Sequence, residues 1–174
     1  MAPKSTTISH WSEAARDGLF LALVTVVLIS FNALFENAAL KFLFWLVKFV
    51  GSVWLLYFFM KKFLKAEPQS PVFRQGVRIC LFSSLICAVY TFFMYTFLFP
   101  EMVTEMFEAF YSAPEFASLP GNVTDMMLKL EDNFAKYSCI STFIWNFILG
   151  LIISAIIARS ITPKTIFTDD DNTI

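Results

Sequence analysis

One uninterrupted apolar run decides the class of fold that this chain can adopt. The run ICLFSSLICAVYTFFMYTFLF, residues 79–99, contains no charged residue, proline or glycine. Its length matches the roughly 20 residues that an α-helix needs to cross the hydrocarbon core of a bilayer. Arg74 and Arg78 precede the run, and Pro100 and Glu101 follow it. The sequence therefore predicts a transmembrane helix whose basic end faces the cytoplasm.

Other uncharged runs predict three more spans around this one. With 57% hydrophobic residues in 174, the chain is too apolar for a soluble domain, which is usually about 45–50% apolar. We expect a single membrane domain, residues 1–174, of the all-α class. It has four transmembrane helices and an extracytoplasmic amphipathic helical hairpin between helices three and four. The expected segments are helix one at 18–35, helix two at 42–60, helix three at 77–99, an external helical segment at 100–136, helix four at 137–158 and a cytoplasmic tail at 159–174.

Basic residues are distributed unevenly between the two sides of this layout. The segments assigned to the inside hold nine, namely Lys4, Arg16, Lys61, Lys62, Lys65, Arg74, Arg78, Arg159 and Lys164. Those assigned to the outside hold three, namely Lys41, Lys129 and Lys136. Because short cytoplasmic loops of membrane proteins are enriched in Lys and Arg, both termini are predicted to be cytoplasmic.

The basic loop between helices two and three has two interpretations. Its cations could contact anionic lipid headgroups or a lipid-linked phosphate. They could equally do no more than fix the topology, which every polytopic protein needs. The candidate contacts are Lys61, Lys62, Lys65, Arg74 and Arg78.

The external segment is acidic and has helical periodicity. Apolar residues recur at three- and four-residue steps from 101 to 112, which predicts an amphipathic helix that lies on the membrane or caps the bundle. A second helix is predicted at 123–137. The polar face of the first helix could bind a divalent cation, but we favour an ordinary solvated face, and no metal is expected. Its carboxylates are Glu101, Glu105 and Glu108.

Lys48 is the one charged residue inside a predicted span. An ionisable group at that depth is by default a candidate for function. One hypothesis has its ammonium snorkel back to the outer interface or pair with Glu36. The other has Lys48 face the bundle interior and contact an anionic ligand. The lone histidine, His10, is expected to be solvated.

Small residues at every fourth position mark a packing surface on helix four. They are Gly150, Ser154 and Ala158, and such residues let a second helix approach closely. A similar stripe on helix three, Ser83, Cys87 and Thr91, is the expected partner, with a dimer contact as the alternative. Asn146 is expected to donate an interhelical hydrogen bond rather than to serve transport.

No recognisable catalytic constellation is present. The sequence shows no nucleophile with a neighbouring base and no His or Cys cluster, and its three cysteines lack CxxC spacing, so no catalytic residue or cofactor is predicted. Two functions remain open. One is a non-catalytic accessory subunit that binds a membrane protein or a second copy of itself. The other is a small carrier or flippase component for a lipid-linked or amphipathic substrate.

Three motifs resemble those of one protein family. DGL at 17–19, FRQGVRICLFSSLICAVYTFFMYTFLFPE at 73–101 and GLIISAIIARS at 150–160 are similar to segments of the DUF4199 family. That family comprises uncharacterised small four-helix membrane proteins, mainly of Bacteroidota. The resemblance implies residence in the bacterial inner membrane and an association with lipid-linked glycosyltransfer. It supplies no catalytic residue to carry over. Separately, no nucleic-acid partner is expected for this chain.

Overall fold

The computed structural model describes residues 6–35, 37–114, 116 and 121–162. Within these ranges the chain forms six α-helices, and a π-helical segment, Met94–Leu98, continues the third of them. The helices are α1 (Thr6–Leu34), α2 (Ala38–Ala66), α3 (Val72–Phe93), α4 (Pro100–Tyr111), α5 (Gly121–Asp132) and α6 (Phe134–Ile161). The predicted all-helical class is confirmed.

Four helices in the described part of the chain are long and apolar enough to cross a membrane. They are His10–Leu34, Ala38–Ala66, Val72–Leu98 and Phe134–Ile161. Their outward faces carry large exposed hydrophobic side chains such as Phe42, Trp54 and Ile156, which suit a hydrocarbon solvent better than water. The predicted number of spanning helices is therefore confirmed.

The four long helices run alternately up and down, with α3 at the centre. Helix α3 packs most extensively against α6 and α1, whereas α2 packs mainly against α1. Near one end, the Arg78 guanidinium lies 5.0 Å from the ring centre of Trp11. Near the other end, the rings of Tyr95 and Phe134 meet edge to face at 5.2 Å. Helices α1 and α3 are therefore parallel, with α2 and α6 antiparallel to them.

The hydrophobic core lies towards the end of the bundle that carries residues 67–71, which we call the loop end. Its buried residues come from the first half of α1, the last half of α2, the first half of α3 and the end of α6. They are Ala14, Leu21, Leu56, Phe59, Met60, Val72, Ile79, Cys80 and Ile157. The first half of α2 has no fully buried residue, but it stays beside α1 there, since Phe44 stacks on Phe31 at 6.0 Å.

Helices α3 and α6 approach each other most closely through glycine. A Cβ added to Gly150 would lie 2.7 Å from the Cys80 Sγ, and one added to Gly76 would lie 2.8 Å from the Ser154 Oγ. Ser154 is completely buried, and Ala158 packs against the core. The closest partners of the α6 stripe are thus Gly76 and Cys80, because the missing side chain of Gly76 leaves room for Ser154.

The second external helix is shorter than predicted. Helix α5 ends at Asp132 rather than at residue 137, and Asn133 explains the break. Its Nδ2 donates to the Lys129 carbonyl at 3.0 Å, and its Oδ1 accepts from the Lys136 Nζ at 2.9 Å. Asparagine side chains compete with helical hydrogen bonds in this way, and α6 begins directly afterwards.

His10 is not solvated as the sequence predicted. Its side chain is 15% exposed, and its Nε2 lies 3.2 Å from the Glu67 carboxylate. The imidazole also meets the Phe63 ring edge to face. The interpretation failed because α1 begins before residue 10, which places His10 inside a helix that packs against the end of α2.

Candidate functional site

Two adjacent pockets lie among the long helices, and we describe them as two chambers of one cavity because three residues border both. The core chamber, about 340 Å³, lies between α1, α2, α3 and α6. The α5 chamber, about 440 Å³, lies further from the loop end and is bordered by Leu130 of α5. Lys48, Trp145 and Asn146 border both chambers, and we call these three residues the neck. Both volumes fall within the range of about 300–1,000 Å³ that ligand pockets occupy.

The core chamber has a largely apolar wall with one polar side. Leu21, Phe49 and Leu149 contribute to the apolar part. Ser83 and Cys87 of α3 face the same space, and Thr91 borders the α5 chamber. The α3 stripe that the sequence assigned to helix packing therefore lines the cavity.

The side of the core chamber between α2 and α6 is loosely packed, and we call it the gap. Helix α6 contacts α2 far less extensively than it contacts α3, and a tryptophan from each of α2 and α6 borders the core chamber. The Trp45 side chain is 51% exposed and the Trp145 side chain is 64% exposed. Because α2 and α6 are both long and apolar enough to span a membrane, this gap would face lipid rather than water.

Lys48 occupies the middle of this arrangement. It lies one helical turn from Ser52, the central residue of α2, and it is half-buried. It is the only charged residue in the described lining of either chamber. Its ammonium has no ion pair or hydrogen bond with another described residue. Glu36, the partner suggested by the sequence, lies outside the described residues.

Asn146 also faces the cavity, and the interhelical hydrogen bond expected for it is absent among the described residues. One turn away on α6, Ser141 and Thr142 line the α5 chamber. Their hydroxyl groups donate no hydrogen bond to any residue that the structure describes. By contrast, Thr25 and Thr91 donate to carbonyls one turn back in their own helices, at 2.9 Å each. The neck and the adjacent face of α6 therefore carry donors available to a ligand.

The five basic residues proposed from the sequence lie elsewhere. All of them belong to the end of α2 or the start of α3, at the loop end. Arg78 stacks over Trp11, and Lys61 donates to the Tyr57 hydroxyl at 3.2 Å. Lys62, Lys65 and Arg74 are exposed. None of the five borders either chamber.

Helices α4 and α5 lie beside the far end of the cavity. Phe107 of α4 is buried and meets the ring of Phe134 edge to face at 5.8 Å. The Tyr111 hydroxyl of α4 donates to the Glu131 carboxylate of α5 at 2.7 Å. This hydrogen bond to a carboxylate raises the pKa of Tyr111 to about 12. The contact joins the two helices beside the chamber that Leu130 borders.

The amino-acid sequence matches the family described as "Protein of unknown function (DUF4199)" over residues 17–160. The chain belongs to the DUF4199 family. The resemblance seen in the short motifs is thereby confirmed. Every residue that borders the two chambers falls inside the matched part of this DUF4199 chain. Neither a curated protein nor a solved structure matches the chain.

Sequence reasoning singled out Asn146 but missed the three hydroxyl residues that extend it into a polar stripe on α6 of this DUF4199 protein. Ser138, Ser141, Thr142 and Asn146 follow each other at one- to four-residue steps and all border the α5 chamber. Residues three or four apart share a helix face, so their spacing was a usable signal. Trp145 gave no such signal, because an aromatic residue in an apolar run is also typical of a lipid-facing surface.

Proposed function

We propose that this DUF4199 protein is a non-catalytic multi-pass membrane protein that binds and carries a membrane amphiphile. The cavity lies beside the loosely packed gap between α2 and α6. One observation supports this function above others: the cavity combines an apolar wall with polar groups at its neck that have no partner among the described residues. Hydrocarbon chains suit the first feature and a headgroup suits the second. A carrier needs both, since transport sites place polar or ionisable residues near the middle of the membrane.

In this proposal the protein resides in the bacterial inner membrane with both termini in the cytoplasm. The excess of basic residues at the loop end supports this orientation. Helices α4 and α5 then form an extracytoplasmic hairpin above the α5 chamber, and their Tyr111 to Glu131 hydrogen bond supports that pairing. The basic residues of the loop end would meet anionic headgroups of the cytoplasmic leaflet.

The role we propose is to supply a lipid-linked substrate to, or receive one from, a partner enzyme of glycosyltransfer. Four helices leave a gap on one side, so a second copy or a partner could complete the wall. The amphiphile would then pass between the proteins without entering water. This would make the chain an accessory subunit rather than an enzyme.

Native mass spectrometry of the protein released from its own membrane tests the proposal. Wild-type protein is expected to retain a lipid-like molecule in stoichiometric amount. Leu149 borders the core chamber, so Leu149→Trp should fill it and reduce retention severalfold. Leu85 is 52% exposed on α3 and borders neither chamber, so Leu85→Trp is a matched control that should retain the ligand. Equal retention by both variants, or none by wild-type protein, would count against the proposal.

A second candidate function, binding of a protein partner, is supported by exposed apolar side chains outside the spans. On α4 and α5, Phe110 is 53% exposed and Met126 is 68% exposed. A photoreactive residue at each position, activated in intact membranes, distinguishes the outcomes. Cross-links to a second protein chain would support a partner-binding subunit, and cross-links to lipid alone would oppose it.

A further inference from the structure

We infer that the amphiphile bears an anionic phosphate, that this phosphate is held at the neck beside Lys48 and Asn146, and that its hydrocarbon leaves through the gap between Trp45 and Trp145. The inference rests on the proposed function and names the chemical class of its ligand. It is carried by the charge, the donors and the shape of the cavity.

Charge complementarity indicates an anion. Lys48 is the only charged residue in the described lining of the two chambers, and no carboxylate lines either of them. An uncompensated ammonium near the middle of a span is costly. A neutral or zwitterionic amphiphile would leave this cost in place, whereas an anionic headgroup at the neck would offset it.

The number of available donors favours phosphate over carboxylate. Lys48 offers three N–H donors and no acceptor, and the Asn146 amide and the Ser141 and Thr142 hydroxyls add to them. A phosphate presents three strongly accepting oxygens, whereas a carboxylate presents two. Lysine binds phosphate as a point charge, with neighbouring groups providing the directional hydrogen bonds. The neck and the adjacent α6 face offer this combination.

The shape of the cavity orients the ligand. On the loop-end side of the neck, the core chamber is largely apolar, and Trp45 and Trp145 border it at the gap. On the other side, the α5 chamber is lined by hydroxyl groups, including those of Ser138 and Tyr137. Hydrocarbon therefore belongs in the first space and in the gap. The polar end of the ligand would fit the second.

Tryptophan quenching by brominated lipids tests this assignment. Trp11 and Trp54 border neither chamber, so Trp11→Phe with Trp54→Phe leaves the two tryptophans of the gap as reporters. Three probes at low mole fraction in maltoside micelles are compared: brominated phosphatidic acid, phosphatidylcholine with the same brominated chains, and a brominated fatty acid. We expect phosphatidic acid to quench at concentrations about tenfold lower than the other two, a difference typical of a charge-assisted contact.

Variants of the neck and a matched control complete the test. Lys48→Met should abolish the preference for phosphatidic acid, and Lys48→Arg should keep it. Lys61→Met removes an exposed lysine at the loop end of the same helix and should leave the preference unchanged. An unaltered preference in Lys48→Met would overturn the inference, and equal quenching by fatty acid would overturn the phosphate assignment.

The proposed function and this inference fail differently. If phosphatidylcholine quenches as strongly as phosphatidic acid, the cavity binds amphiphiles without reading their charge, and only the inference is lost. If no probe quenches beyond the level that a Trp45→Phe, Trp145→Phe protein shows, the proposed function is lost with it.

Discussion

Gly150 on α6 lies directly against Cys80 on α3, so that a Cβ on the glycine would be 2.7 Å from the Cys80 Sγ and 2.8 Å from its Cβ. One turn further along α6, the Ser154 hydroxyl lies 3.5 Å from the same sulfur. Small residues allow such an approach between membrane helices, where van der Waals packing rather than hydrophobicity stabilises association. This contact holds α6 close to α3 at the base of the core chamber.

The first prediction concerns Gly150→Ala. The added methyl group forces α3 and α6 apart, and overpacking of this kind costs about 1–3 kcal/mol. Thermal unfolding in detergent should therefore occur at a lower temperature than for wild-type protein.

Gly51 provides the matched control, because nothing lies within 4 Å of the position its Cβ would take. Gly51→Ala should be neutral or stabilising by up to about 1 kcal/mol, since alanine is the better helix former. If the two variants melt at the same temperature, the close contact between α3 and α6 is wrong.

The spanning helices could be predicted because their signal is local. An uncharged run such as 79–99 needs no partner to be recognised, since length and hydropathy alone specify a span. The stripe at Gly150 and Ser154 was also visible, but its register against Gly76 was not. Register depends on which side chains fit between two helices, and this is a property of the pair.

The cavity could not be predicted from these patterns. Ser83 and Cys87 have the small size that helix packing requires, and yet they face the core chamber. Whether a small residue touches a neighbouring helix or borders a space depends on how far the helices diverge. For Lys48 this is decided by the position of α2, whose first half contacts α1 through Phe44 and has no fully buried residue.

The second prediction concerns topology. In protein with Cys80, Cys87 and Cys139 replaced by alanine, Ser112→Cys should react with a membrane-impermeant maleimide in intact cells whose outer membrane is permeabilised. Gln69→Cys, in the connection between α2 and α3, should react only after lysis. Both positions are exposed, so access to the reagent depends on the side of the membrane. The reverse pattern would contradict the orientation deduced from the basic residues.

The third prediction concerns the link between α4 and α5. The hydrogen bond to Glu131 raises the pKa of Tyr111 to about 12. The stabilisation from this hydrogen bond is therefore fully present below the ordinary tyrosine pKa of about 10. It is lost only as the pH rises through about 12. Spectroscopic titration of the five tyrosines should include a step near pH 12, and Tyr111→Phe should remove that step.

At neutral pH the same variant should increase backbone amide exchange in α4 and α5 and leave exchange in α3 unchanged. Unaltered exchange in both external helices would show that the hydrogen bond does not hold them together.

The fourth prediction concerns the stability effect of Lys48→Met. A lysine at the centre of a span costs about 2.5–3.5 kcal/mol on insertion scales. Lys48 has no ion pair with a described residue, so removing its ammonium should not destabilise the fold. The melting temperature of ligand-free Lys48→Met protein should equal or exceed that of ligand-free wild-type protein. A clear decrease would indicate that Lys48 has a structural partner, and the anion assigned to it would then be unnecessary.

The most direct test of the central claim is a cryo-electron microscopy map of the protein in a nanodisc made from its own membrane. The account predicts an elongated density that enters between Trp45 and Trp145 and ends in a compact feature beside Lys48 and Asn146. Lipid density that remains outside the two tryptophans, with both chambers occupied by protein side chains or water alone, would contradict it.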